Sequence, residues 1–137
     1  MPVVKVWCLP ADLTEDRLRE IQRAIVVATV SVPDVGVKDE HSMVVLFPKD
    51  MMMYGLGTEI IIEIYGCVFE DKQLDTPVRN MLAGLMVSTL KQFFPSAMVE
   101  CFILPYRSAL GFYHSSARQS LNELEASRPK PAPALVE

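Results

Sequence analysis

The spacing of apolar and polar positions divides the first half of the chain into a strand, a helix and a second strand. Residues 2–9 form a mostly apolar run closed by Pro10, which cannot continue a strand ladder. Thr14 then offers an N-cap, and apolar residues follow at helical spacing until about Val30. The apolar run over 43–47 predicts another strand. The first half is therefore predicted to be a βαβ unit, spanning residues 2–48.

The same order of elements returns in the second half, over residues 58–105. A β-branched run begins near residue 58, Pro77 follows an N-cap at Asp75 or Thr76, and a further apolar strand covers 98–104. The starts of matching elements lie at a nearly constant offset, which indicates an internal duplication of βαβ units. A ferredoxin-like split βαβ pair would give the same order of elements.

The composition of the strands distinguishes the two arrangements. Apolar residues over 43–47 and 59–64 fall on both faces, as in strands covered on both sides. We expect an α+β fold with a four-stranded mixed sheet and two helices on one face. Further copies of the chain are the simplest cover for the other face, since exposed apolar patches of this extent usually mark interfaces. The domain is predicted to span 1–116, followed by a polar segment and a mobile proline-rich tail over 117–137.

Bulk properties exclude several classes of function. The 137 residues suit one domain, and half of them are hydrophobic, with a mean hydropathy of +0.24. A net charge of −4 argues against a nucleic-acid partner, which requires a clustered cationic surface. No apolar stretch approaches the roughly 20 residues that span a bilayer, and the first residues lack the pattern of a signal peptide. We expect a cytoplasmic protein with no membrane partner.

The metal-ligating residue types are few and scattered. Cys8, Cys67 and Cys101 lie in separate apolar segments, so they are predicted to be reduced packing residues. His41 and His114 have no partners at ligand spacing, so no metal site is expected.

Three features of the sequence carry a resemblance to a known family. The first is Pro2, which directly follows Met1 and precedes the two βαβ units. The second is the segment 48–55, which begins with a proline and ends with Tyr54 and a glycine. The third is the segment 109–112, in which a glycine directly precedes Phe112. Together they resemble the tautomerase superfamily, specifically its longer subunits with two βαβ units, such as macrophage migration inhibitory factor and cis-3-chloroacrylic acid dehalogenase. The resemblance implies a homotrimer that needs no cofactor.

The family's chemistry gives Pro2 a role. Removal of Met1 leaves a secondary amine, and an α-amine with a reference pKa of about 7.7–8.0 titrates lower when it is desolvated or close to cations. The neutral amine can take a proton from carbon beside a carbonyl and return it elsewhere, which is keto–enol tautomerisation. The resemblance therefore implies that Pro2 is the general base.

The sequence departs from the family in its cations. Many family enzymes bind substrate carboxylates through arginines near the first helix and on the second strand, but residues 10–13 and 41–45 contain none. Lys38, Lys72 and Arg107 are the candidate replacements, each weighed against an ordinary solvated charge. Arg107 is favoured because it lies just ahead of the late glycine-aromatic motif and its planar fork suits a carboxylate.

Other side chains fall close to the family's pocket positions and imply a rather apolar pocket. They are Tyr54, Tyr65, Cys101 and Phe112. Tyr54 would line the wall or donate to a substrate oxygen, or act as an interface aromatic. Glu63 and Glu100 are strand carboxylates that we expect to pack against a neighbour's cation, with water activation as the alternative.

The sequence thus predicts an isomerase acting on a small keto or enol acid. Two alternatives stay open. One is a trimeric binding or interaction protein that keeps the fold without efficient catalysis, which the missing arginines favour. The other is a ferredoxin-like ligand-sensing module in which Pro2 is incidental.

Overall fold

The computed structural model describes residues 2–49, 58–69 and 74–106. The strands are β1 (Val3–Trp7), β2 (Val44–Leu46), β3 (Glu59–Phe69) and β4 (Met98–Tyr106), and the helices are α1 (Glu15–Val30) and α2 (Thr76–Phe93). Short 3-10 turns at Pro33–Val35 and Glu40–Ser42 connect α1 to β2. The predicted α+β class, with a four-stranded mixed sheet and two helices, is confirmed.

The strand order β2-β1-β3-β4 distinguishes a tandem from a split arrangement. β1 pairs directly with β2 in parallel, and β3 pairs directly with β4 in parallel. The two parallel pairs join through antiparallel pairing of β1 with β3. A split βαβ pair would place another strand between the parallel partners, so the topology is that of two βαβ units side by side.

Local signals explain where the helices begin and end. The Thr14 side chain accepts a hydrogen bond from the Arg17 amide at 3.2 Å, and α1 ends at Val30, ahead of Pro33, as predicted. α2 starts with Pro77 in its first turn, where a missing amide hydrogen is tolerated. The Arg17 guanidinium lies 4.8 Å from the centre of the Phe93 ring, which joins the start of α1 to the end of α2.

Both helices pack on one face of the sheet, which we call the covered face. Its fully buried strand residues are Val4, Val6, Ile60, Ile62 and Ile64. They meet fully buried helix residues, namely Ile21, Ile25, Leu82, Met86 and Leu90. Each such side chain contributes about 1.5–3 kcal/mol by leaving water, so this layer is the core of the domain. No helix of the described segments is long and apolar enough to cross a membrane.

The opposite face of the sheet, which we call the open face, carries the alternate strand residues. Val3, Lys5 and Trp7 of β1 are half-buried there. Towards the two sheet edges, Leu46 is 43% exposed, Met98 63% and Phe102 49%. Apolar residues thus occupy both faces of the strands, while the two helices cover only one.

Candidate functional site

Pro2 lies at the start of an inner strand. It is buried and directly precedes β1, which runs between β2 and β3. The Pro2 carbonyl oxygen accepts a hydrogen bond from the Val44 amide at 2.9 Å, so the pairing of β1 with β2 continues to this residue. The backbone of Pro2 is therefore fixed by the sheet itself.

The neighbouring strand β3 is irregular at the same end of the sheet. Its pairing with β1 ends at Val3 opposite Tyr65. The next residue, Gly66, has φ of +79°, and the register with β4 shifts between Ile64 and Val68. Irregularities of this kind include β-bulges, which bend a strand, re-aim its side chains and are frequent beside active sites.

Four side chains of β1 and β3 form a polar cluster on the open face. Glu63 Oε2 accepts a hydrogen bond from Trp7 Nε1 at 2.9 Å and another from the Tyr65 hydroxyl at 3.0 Å. Lys5, which lies directly opposite Glu63, places its ammonium 5.1 Å from the centre of the Tyr65 ring. We call these four residues the open-face cluster.

The cluster further favours the neutral form of Tyr65. Burial of the side chain raises the pKa of the Tyr65 hydroxyl, and both the hydrogen bond to Glu63 and the negative charge of Glu63 raise it further. Tyr65 is therefore a neutral phenol near pH 7, with its proton directed to Glu63. Glu63 accepts both of these hydrogen bonds from its own chain.

The structure separates two of the predicted pocket residues. Tyr65 belongs to the open face, whereas Cys101 lies opposite Ile62 and packs against the core on the covered face. Lys38 is exposed. The remaining predicted site residues lie outside the described segments: Tyr54, Lys72, Arg107 and Phe112. In the described segments no group of three or more histidine, cysteine or acidic residues is suited to hold a metal ion.

Sequence reasoning did not single out Lys5, Trp7 or Gly66. Lys5 and Trp7 alternate with buried valines, which marks them as open-face residues. The sequence does not show that they meet Glu63 and Tyr65, because that contact depends on the register of β1 against β3. Gly66 carried a weak signal, since an isolated glycine in a strand pattern suggests a bulge.

Comparison with known proteins identifies the fold. No protein-family model and no curated protein matches the sequence. A fused 4-OT, solved as a wild-type asymmetric trimer, is 14% identical and superposes with a TM-score of 0.59, covering 89% of this chain and 98% of its own. A member of the cis-3-chloroacrylic acid dehalogenase family is 9% identical, with a TM-score of 0.58 and coverage of 93% and 92%.

A third similar structure, described as a probable enzyme from the thermophilic fungus Aspergillus fumigatus, is 15% identical with a TM-score of 0.58, covering 88% of this chain and 86% of its own. At such identities the likeness concerns the fold. The chain shares the fold of the fused 4-OT and of the cis-3-chloroacrylic acid dehalogenase family member, with two βαβ units side by side.

Proposed function

We propose that this protein is a cofactor-independent isomerase whose general base is the amine of Pro2, freed by removal of Met1. The substrate would be a small keto or enol acid. The observation that carries the proposal is the burial of Pro2 at the start of an inner strand, within a fold shared with a fused 4-OT and a cis-3-chloroacrylic acid dehalogenase family member.

The surroundings of Pro2 suit a base that must be neutral. Burial disfavours the charged form of an amine, because the ammonium loses its hydration. The hydrogen bond from the Val44 amide to the Pro2 carbonyl fixes the residue without using its nitrogen. A neutral, fixed secondary amine can remove a proton from carbon beside a carbonyl and deliver it to another atom of the same substrate.

We further propose that the protein is a homotrimer with the site at a subunit boundary. Exposed apolar side chains near both sheet edges, Leu46 on β2 and Phe102 on β4, support contacts with further copies. The trimeric fused 4-OT of the same fold supports the same number of subunits. The cation that orients the substrate would be Arg107, with Lys38 and Lys72 as alternatives.

The intact mass of the purified chain is the first test. Met1 must be absent, because an acylated Pro2 has no basic nitrogen. Pro2→Ala is then assayed on enolised phenylpyruvate against the wild type. We expect turnover to fall roughly 10²–10⁴-fold, the usual contribution of a positioned base. Pro33→Ala, at an exposed proline in a 3-10 turn, is the matched control and should keep full activity.

A binding protein of the same fold is the second candidate. It is favoured by the absence of arginine from residues 10–13 and 41–45 and by the exposure of Lys38. If neither the wild type nor Pro2→Ala, with Met1 removed from both, exceeds the uncatalysed rate, the isomerase is eliminated and the binding protein is left. Equal turnover above that rate would eliminate Pro2 as the base. The ferredoxin-like sensing module is disfavoured by the direct parallel pairing within each βαβ unit.

A further inference from the structure

We propose that Glu63 is a positioning residue that fixes the ring of Tyr65 as an aromatic wall beside Pro2. This inference rests on the proposed function, because it assigns Glu63 a role at that site. Glu63 would not touch the substrate. It would act through Tyr65.

The hydrogen bonds show how Glu63 is itself held. One carboxylate oxygen accepts from both the Trp7 indole and the Tyr65 hydroxyl, at 2.9 and 3.0 Å. Trp7 belongs to β1, so it anchors the carboxylate from the strand that begins at Pro2. Hydrogen bonds to an ionised acceptor are roughly twice as strong as neutral ones, which makes this two-donor arrangement a firm support for the phenol.

The Tyr65 ring is also restrained on its face. The Lys5 ammonium lies 5.1 Å from the ring centre, within the range of a cation–π contact. The ring is thus held by an anion at its hydroxyl and by a cation over its face. These contacts leave the side chain little freedom to rotate.

The register places the backbone of Tyr65 at the end of β3 that adjoins Pro2. Tyr65 lies opposite Val3 in the last pair of β1 with β3, immediately before the left-handed Gly66. Because the hydroxyl proton is engaged by Glu63, Tyr65 offers a substrate its ring and no donor.

The kinetic test compares Glu63→Ala, Tyr65→Phe and the double variant. Each single variant should lower kcat/KM roughly tenfold, as expected when a positioning group is loosened. The double variant should lose no more than either single one, because both changes break the same contact. Glu63→Gln, whose carbonyl still accepts a hydrogen bond, should recover part of the loss. The pH at which the base titrates in the kcat/KM profile should stay unchanged.

Glu59→Gln is the matched control. Glu59 is an exposed carboxylate on the same face of the same strand, opposite Met98, and its replacement should leave kcat/KM unchanged. Light scattering on every variant checks that the assembly is intact. The positioning role is overturned if Glu63→Ala behaves like Glu59→Gln, if the two losses add in full, or if the loss follows dissociation of the assembly.

A spectroscopic measurement tests the contact without turnover. The chain has four tyrosines, so the ultraviolet titration of Tyr65 is obtained by subtracting the titration of the matching Tyr65→Phe variant. Tyr65 should ionise at lower pH in Glu63→Ala than in the wild type, because Glu63 raises the pKa of Tyr65. An unchanged titration overturns the contact. If the titration of Tyr65 changes but kcat/KM of Glu63→Ala does not, the positioning role is overturned while the contact stands. Full turnover by Pro2→Ala would overturn the proposed function and the role of Glu63 with it.

Discussion

Gly66 and Gly84 should respond in opposite directions to the same substitution, Gly→Ala. Gly66 has φ of +79°, in the left-handed region that side chains disfavour, at the irregular end of β3 beside Pro2. Gly84 is exposed in the middle of α2, and a Cβ added there would meet no atom within 4 Å. The pair therefore separates the cost of backbone conformation from the general effect of removing a glycine.

The magnitudes follow from the two backbone environments. A left-handed conformation destabilises the folded state of an alanine variant by roughly 1–2 kcal/mol. Replacing glycine also reduces the conformational freedom of the unfolded chain, which stabilises the folded state by about 0.4–1 kcal/mol. Gly66→Ala should therefore destabilise by about 1 kcal/mol. Gly84→Ala should stabilise by about 1 kcal/mol, the difference in helix propensity. The two variants should differ by about 2 kcal/mol.

Urea unfolding of the wild type and both variants, at one protein concentration, measures the difference. The concentration is fixed because assembly contributes to apparent stability. Gly66→Asn should fall between Gly66→Ala and the wild type, because asparagine tolerates the left-handed region better than alanine does. Equal stabilisation by Gly66→Ala and Gly84→Ala would show that the backbone at Gly66 is not left-handed in solution, and the bulge beside Pro2 would have to be abandoned.

Two further predictions concern assembly and substrate binding. Light scattering should give a trimer at micromolar concentration. Phe102→Glu, at an exposed apolar position on β4, should shift the protein towards monomer. A stable wild-type monomer would contradict the proposed assembly. If Arg107 binds the substrate carboxylate, Arg107→Ala should lower kcat/KM by the equivalent of about 2–4 kcal/mol. Arg107→Lys should recover only part of this loss, because an ammonium lacks the bidentate fork of arginine. Normal turnover by Arg107→Ala would move the anion site elsewhere.

The order of elements was predictable because its signals are local. Thr14 caps α1 through its own side chain, and Pro33 lies just beyond the end of the same helix. The apolar run that predicts a strand over 43–47 corresponds to β2 at Val44–Leu46. Such features depend on residues a few positions apart, so the sequence displays them directly.

The course of β3 and the open-face cluster were not predictable from local signals. The β-branched run that begins near residue 58 predicts a strand without showing where it ends. β3 continues to Phe69, because the chain resumes its pairing with β4 after the irregularity at Gly66. The hydrogen bond from Trp7 to Glu63 joins residues 56 positions apart. Its existence depends on the register of β1 against β3, which no local pattern specifies.

The distribution of polarity over the open face connects the cluster to the proposed assembly. At its centre Glu63 already accepts two hydrogen bonds and faces Lys5, so burial by a neighbour would leave that carboxylate supported. Towards the edges, large apolar side chains are exposed, among them Leu46 on β2 and Phe102 on β4. Since β2 and β4 differ in sequence, contact between one copy's β2 edge and the next copy's β4 edge is heterologous, and such contacts end only when a ring closes. In the proposed assembly, contacts of this kind would bury Leu46 and Phe102, while Glu63 keeps its two hydrogen bonds within its own chain.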